Sequence, residues 1–257
     1  MTKTVLVTGA SSGIGTACAT TLARSGWRVL AGVRREGSAP SGTEEVVLDV
    51  TDPPALELDE LQGLVNNAGI AVAGPLEFLP PKELRRQLEV NVVGQLRVVQ
   101  LALPALRRAR GRVVNIGSIS GRSALPFLGA YAMSKFALEA MTDALRVELK
   151  PWGIHVAIVE PGTIKTPMWT RERPDPPEEA MALYGGRLAA FREFALKRSA
   201  GGAPPEAVAK VVEHALTAER PKPRYLVGRD ARLRAGVERL PNRLRDRVYK
   251  RVLLGGV

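Results

Sequence analysis

Residues 4–15 constrain the fold of this chain more than any other segment. The run Thr4-Val5-Leu6-Val7-Thr8 is β-branched and apolar, as a buried strand requires. It stops at Gly9, and helical periodicity begins after Gly13 and Gly15. A strand that turns at once into a helix through glycines is the opening unit of a helix-covered parallel sheet. Gly9 allows the tight exit from the strand, Gly13 lets backbone approach a pyrophosphate, and Gly15 permits close helix–sheet packing. Ser11, Ser12 and Ile14 complete the turn. The start of the helix offers unpaired N–H groups and the positive end of its dipole to phosphate. The spacing is Gly-x3-Gly-x-Gly, so the turn alone is also compatible with glycines that serve geometry only.

The rest of the chain repeats the alternation. Strands are predicted at Thr4–Thr8, Arg28–Val33, 45–48, Gly63–Asn66, 112–117, 155–160 and Arg224–Val227. Helices are predicted at 13–25, 54–60, 82–108, 130–150 and 205–218. Glycine, proline and serine crowd residues 34–44, which read as loop with little room for a helix. The expected fold is α/β, a doubly wound, Rossmann-like parallel sheet in one domain over residues 1–230. Residues 166–200 read as a helical lid inserted over the site. Residues 231–257 read as a basic C-terminal extension.

At 257 residues and 45% apolar content, the chain can bury a sizeable core. Cys18 is the only cysteine, so no intramolecular disulfide forms, and a reducing compartment is expected. Its neighbours Ala17, Ala19 and Leu22 give it a packing role. Residues 1–7 lack the apolar run of a signal peptide, and no stretch approaches the ~20 apolar residues of a membrane span. The expected location is cytoplasmic. With only His155 and His214, a metal centre is not expected.

Tyr131 and Lys135 stand four residues apart on a predicted helix and so share a face. A nearby ammonium favours the phenolate and draws a tyrosine pKa from near 10 toward neutrality, where a proton donor works best. Ser118 ends a predicted strand, at the edge where parallel sheets bind ligands. Its hydroxyl is suited to an oxygen that gains negative charge. Tyr-x3-Lys by itself is more often a solvated helix face. Ser120 and Ser123 are nearby rivals to Ser118.

Taken in order, these motifs resemble the short-chain dehydrogenase/reductase family. The turn Thr8–Gly15, Asn66-Asn67-Ala68-Gly69, Asn91-Val92-Val93-Gly94, Ser118, Tyr131, Lys135 and Pro161-Gly162-Thr163-Ile164-Lys165-Thr166 match its signatures. The resemblance runs from residue 4 to about residue 168. It implies that Tyr131 is the acid–base residue and that Lys135 also binds the nicotinamide ribose. It further implies that Ser118 orients the substrate and that Asn91 supports a water-linked proton relay. Asn67, Ala68, Gly69, Pro161, Gly162, Ile164 and Thr166 are expected beside the cofactor, with Asp49 and Val50 near the adenine. Homodimers or homotetramers through the two long central helices are also implied.

Val33 stands where an acid that selects NAD is expected, and Arg34 follows at once. A guanidinium suits a 2′-phosphate, which argues for NADP with NAD as second choice. Arg34 and Arg35 as plain exposed charge is the competing reading, and Ser12, where some NADP-preferring relatives carry a basic residue, argues slightly against NADP. The pocket border reads as apolar, through Ala71, Val72, Leu125, Pro126, Phe127, Met168 and Trp169. An apolar ketone, aldehyde or steroid- or retinoid-like compound is the expected substrate. Arg171, Arg173, Arg187 and Arg192 are expected on the surface of the lid, within reach of an anionic substrate.

The formal net charge is +11, and the segment from Arg220 onward carries most of it, with ten Arg and two Lys against three acids. Leu233, Val237, Leu240 and Leu244 recur at helical spacing there, which predicts an amphipathic helix pair broken near Pro241. Docking on its own domain or a sister subunit, contact with an anionic membrane surface and non-specific nucleic-acid binding are the three readings, in that order. The expected function is NADP-dependent hydride transfer between nicotinamide and a carbonyl or secondary alcohol. The alternative is a non-enzymatic dinucleotide-binding sensor that engages a partner.

Overall fold

The computed structural model describes residues 2–55, 58–169 and 176–253. Seven parallel strands form one sheet in the order β3-β2-β1-β4-β5-β6-β7. They are β1 (Thr4–Thr8), β2 (Arg28–Val33), β3 (Glu44–Val47), β4 (Gly63–Asn66), β5 (Arg112–Ile116), β6 (His155–Pro161) and β7 (Arg224–Val227). Between them run α1 (Gly13–Arg24), α2 (Pro81–Leu88), α3 (Gly94–Ala109), α4 (Gly129–Glu148), α5 (Glu178–Ala200) and α6 (Pro205–Thr217). Two further helices, α7 (Arg229–Val237) and α8 (Asn242–Leu253), follow β7.

The pleat divides the core. Val5 and Val7 of β1 face a cluster with Cys18 and Leu22 of α1 and Val208 and Val212 of α6. Leu6, between them, faces the opposite cluster with Val98, Ala102 and Leu106 of α3 and Leu145 of α4. Both faces of each central strand are therefore covered, which is why these strands read as unbroken apolar runs. Cys18 is fully buried, and burial pushes its thiol up to about 12, so it packs as a small hydrophobe. The strand order reverses beside β1, where β2 lies on one side and β4 on the other. A crevice opens there at the carboxyl ends of the strands.

Two sequence expectations about helices fail. The described residues within 54–60 contain no helix. The carbonyls of Leu58 and Asp59 accept hydrogen bonds from the Arg108 guanidinium instead of from a helical turn. The single helix expected over 82–108 is α2 and α3 joined by a π-helical turn at Glu89–Val93. An extra residue in the turn sends Asn91 inward, where its amide bonds to the backbone of Ile70. Gly94 then packs on the Val50 backbone, where a Cβ would meet the Val50 carbonyl oxygen at 2.8 Å.

The loop between β2 and β3 holds no helix, as its composition indicates. Residues 170–175, which include Arg171 and Arg173, and the side chain of Trp169 lie outside the described residues. So do residues 254–257 at the end of the extension. The helix pair broken at Pro241 is present as α7 and α8. It docks on its own domain: Arg234 donates to the Ser123 carbonyl at 2.8 Å, and the Tyr249 and Ser123 hydroxyls lie 2.6 Å apart. The helical register starts at Arg229, ahead of the expected boundary at residue 231.

Candidate active site

The glycine turn is held by its neighbours. Gly9 and Gly13 adopt φ of +65° and +58°, the left-handed region that glycine enters without strain. A Cβ on Gly9 would sit 2.9 Å from the Ala68 Cα, and one on Gly15 only 2.1 Å from the Gly9 carbonyl oxygen. Asn67 clamps the turn from β4, with Nδ2 donating to the carbonyls of Thr8 at 2.9 Å and Gly9 at 3.2 Å. The Thr8 hydroxyl in return accepts from the amides of Asn67 and Ala68, both at 3.0 Å. The second signature therefore braces the first.

A cavity of about 390 Å³ opens above this turn at the crevice. Every expected site residue borders it except Gly15 and Asn91. Gly15 lies behind it, where its missing side chain lets α1 close on the turn. Asn91 is fully buried, and its carboxamide is taken up by Ile70 and by the Ser134 hydroxyl at 3.0 Å. Its side chain thus ties the loop after β4 to α4. Arg86, Val90 and Pro167 also border the cavity, although no sequence motif marked them.

The two ends of the cavity differ. At one end Arg34 is exposed beside Asp49. Asp49 Oδ1 accepts from the Thr51 amide at 2.9 Å and its hydroxyl at 2.7 Å. The amide bond, with help from the hydroxyl and Arg34, holds the Asp49 carboxyl below the usual carboxylate range. The glycine backbone and this guanidinium form a cradle open to a phosphate-bearing cofactor.

At the other end Ser118, Tyr131 and Lys135 converge. Ser118 leaves β5 and caps a short helical turn, its Oγ accepting from the Ser120 amide at 3.1 Å. Tyr131 and Lys135 rise one turn apart from α4 and are buried, at 6% and 4% exposure. Lys135 Nζ donates to the Ile116 carbonyl at 2.8 Å and lies 5.8 Å from the Tyr131 ring centre. Burial pulls the ammonium down to about 8, against the charge of Glu139.

Tyr131 departs from the sequence expectation. Burial pushes its hydroxyl above the ordinary tyrosine range, against the Ser118 hydrogen bond and the positive charge of Arg234. Desolvation of the phenolate outweighs that hydrogen bond and that cation, so the hydroxyl holds its proton.

Beyond Lys135, Glu139 meets the fully buried Glu160. Burial and the Glu160 charge raise the Glu139 carboxyl to about 7, with Arg224 opposing. Arg224 pairs with Glu139, and Arg122 pairs with Glu160 at 2.5 Å.

A second cavity, of about 100 Å³, adjoins the first through Ser118 and Tyr131. Arg198 and Phe191 of α5 and Asp230 and Arg234 of α7 line it. Of the apolar border expected from sequence, Leu125 lines this cavity and Met168 the larger one. Ala71, Val72, Pro126 and Phe127 line neither. Phe127 instead packs on Phe191, ring centres 5.5 Å apart, and so helps to seat α5. Arg187 and Arg192 lie exposed on α5. Nothing local distinguishes Arg198 and Arg234 from the other arginines of this chain, so sequence reasoning passed over them.

The family model described as short chain dehydrogenase matches residues 3–177, and this chain belongs to that family. A 3-amino-tetrahydro-pyrrolizinone reductase of Xenorhabdus hominickii is 45% identical over 66% of this chain, although the match spans only 64% of that protein. An NADPH-dependent 3-dehydrocapnine reductase of Ornithobacterium rhinotracheale is 35% identical over 95% of both chains. Human retinol dehydrogenase 5 is 37% identical over 89% of this chain and 81% of its own. Among solved structures, a short-chain dehydrogenase of Burkholderia cenocepacia in complex with NADP is similar at a TM-score of 0.76 and 28% identity, covering 98% of this chain and 100% of that one. The chain is thus an oxidoreductase of the short-chain dehydrogenase type. Among the described residues, no helix is long and apolar enough to cross a membrane.

Proposed function

We propose that this enzyme is an NADP-dependent carbonyl reductase that also runs in reverse as an alcohol dehydrogenase. The observation that carries the reading is the single cavity that holds Arg34 at one end and Ser118, Tyr131 and Lys135 at the other. The Gly9–Ile14 backbone and the N-terminus of α1 cradle the pyrophosphate, and Arg34 meets the 2′-phosphate. Lys135 and the loop at Pro161, Gly162, Ile164 and Thr166 hold the nicotinamide half. NADPH supplies the hydride to the carbonyl carbon. Ser118 and Tyr131 grip the carbonyl oxygen, and Tyr131 delivers the proton as charge develops there. The NADPH-dependent relative and the NADP-bound neighbour support this choice of cofactor. The apolar residues Leu125, Leu128, Phe191 and Phe194 support a substrate with an apolar body.

We further expect a homo-oligomer built on α4, which leaves Met133, Phe136 and Val147 exposed. A cytoplasmic location fits the lone, buried thiol.

The test follows NADPH consumption against a panel of ketones and aldehydes, with wild type beside Tyr131→Phe. Turnover in wild type, abolished in a folded variant that still binds NADPH, is the expected result. NADPH binding without turnover across the panel would overturn the reading in favour of a sensor.

A further inference from the structure

The second cavity combines the proton donor with two guanidinium groups. Ser118 and Tyr131 form one side of it, and Arg198 and Arg234 face the same space. Arg234 is close enough for its charge to act on the Tyr131 hydroxyl. The two arginines also repel each other, since Arg198 adds to the burial that lowers the Arg234 pKa.

Among the described residues, Asp230 is the one carboxylate in the cavity wall. It is shared: its Oδ2 accepts from the Thr163 amide and hydroxyl, both at 2.8 Å, while also pairing with Arg198 at the longer 3.4 Å. Glu238, just past the end of α7, is engaged by Arg245 at 3.2 Å and by the Tyr249 hydroxyl. The described wall therefore carries two cations against one anion. Both guanidinium groups are also held in place. Arg234 is fixed through Nε and Nη2 to Ser123, and Arg198 stacks over the Phe194 ring at 5.3 Å. A half-buried, preorganised pair of like charges beside a reactive hydroxyl is stabilised by an oxyanion.

We propose that the natural substrate carries an oxyanion group of the carboxylate class near its carbonyl, and that Arg234 and Arg198 bind it in the second cavity. This deepens the carbonyl-reductase reading and rests on it. Arg234 and Arg198 are specificity-determining residues: they hold one end of the substrate while Ser118 and Tyr131 hold the carbonyl oxygen. Phe191, Phe194 and Leu128 then take the apolar remainder. Sulfonates and phosphates share the charge and acceptor geometry, and the size of the cavity, about 100 Å³, suits a head group of that kind.

The test uses three aryl keto acids, phenylglyoxylate, 4-oxo-4-phenylbutanoate and 5-oxo-5-phenylpentanoate, each beside its methyl ester, with NADPH. At least one acid should exceed its ester in kcat/KM by about tenfold or more, the scale of one charge-assisted hydrogen bond. That preference should collapse toward unity in Arg234→Gln and Arg198→Met and be partly retained in Arg234→Lys. NADPH affinity, measured on every variant, reports folding. Esters equal to or better than all three acids would overturn the proposal, as would a preference that survives both neutral substitutions. If no carbonyl is turned over although NADPH binds, the reductase reading fails. Calorimetry of the same acids on the NADP complex then decides the anion site by itself. Binding to wild type that is lost in Arg234→Gln supports the site, and no binding to wild type sinks it. A matching aryl keto sulfonate and keto phosphate separate the head groups by their relative kcat/KM.

Discussion

Lys135 Nζ donates a 2.8 Å hydrogen bond to the carbonyl of Ile116, the last residue of β5. One bond thereby fixes the distance between α4, which carries Tyr131, and the strand that ends beside Ser118. The ammonium is buried to 4% exposure, and burial brings it down to about 8 from an unfolded value of 10.5. Between those pH values the unfolded chain binds more protons than the folded one, so this group makes stability rise with pH. The gain is complete above pH 10.5 and is lost as the pH falls through about 8. Urea midpoints at pH 7.5 and pH 10 should show a smaller rise in Lys135→Met than in wild type. Equal rises would remove Lys135 as the source.

Glu139 has the opposite sign. Its carboxyl is raised to about 7 from 4.5, so the folded chain holds the extra proton between those values. The stability it contributes is full below pH 4.5 and lost as the pH rises through about 7. Glu139→Gln keeps hydrogen-bonding capacity toward Arg224 and removes the charge near Glu160. The variant should lose less stability than wild type between pH 5 and pH 8, read as the difference in thermal midpoints. An identical slope in both proteins would place the proton elsewhere.

Gly15→Ala should be costly although Gly15 itself does not line the cavity. Its Cβ would lie 2.1 Å from the Gly9 carbonyl oxygen and 2.6 Å from the Asn67 amide nitrogen, both of which are held by other bonds. The expected loss is about 2 kcal/mol of stability, with weaker NADPH binding because the turn must shift. Gly186→Ala, in the exposed part of α5 with nothing within 4 Å of the added carbon, is the control and should be stabilising or neutral. Comparable losses in both would show that the turn tolerates the side chain.

Arg34→Ala addresses cofactor choice. Arg34 borders the cavity, whereas Arg35 does not. NADPH affinity should fall roughly tenfold or more while NADH affinity changes little, since only the former carries the 2′-phosphate. Parallel losses for both cofactors, in fluorescence titrations, would end the assignment.

The strands and most helices were legible in the chain because each follows from local periodicity. A buried parallel strand must be apolar on both faces, and a turn that needs φ above zero must use glycine. Ser118, Tyr131 and Lys135 were singled out by their resemblance to a family's motifs, since helix spacing alone leaves Tyr-x3-Lys as a solvated face and Ser120 and Ser123 as rivals; the fold brings the three to one cavity. Where periodicity was an incomplete guide, long-range bonds decided. Arg108 occupied the carbonyls of the expected 54–60 helix, and Ile70 drew Asn91 into a π-helical turn.

The charge of the substrate region was not legible at all. Arg198 and Arg234 stand 36 positions apart in the chain, on α5 and α7, and each resembles its basic neighbours. Only the packing of both helices over Ser118 and Tyr131 brings them to one cavity. The same holds for the state of Tyr131. Its identity and its lysine partner are written in four residues, but the balance between cation and desolvation depends on how completely the folded chain excludes water. Local spacing can place Tyr131 and Lys135 on one helix face; their ionisation and the chemistry they face belong to the assembled surroundings.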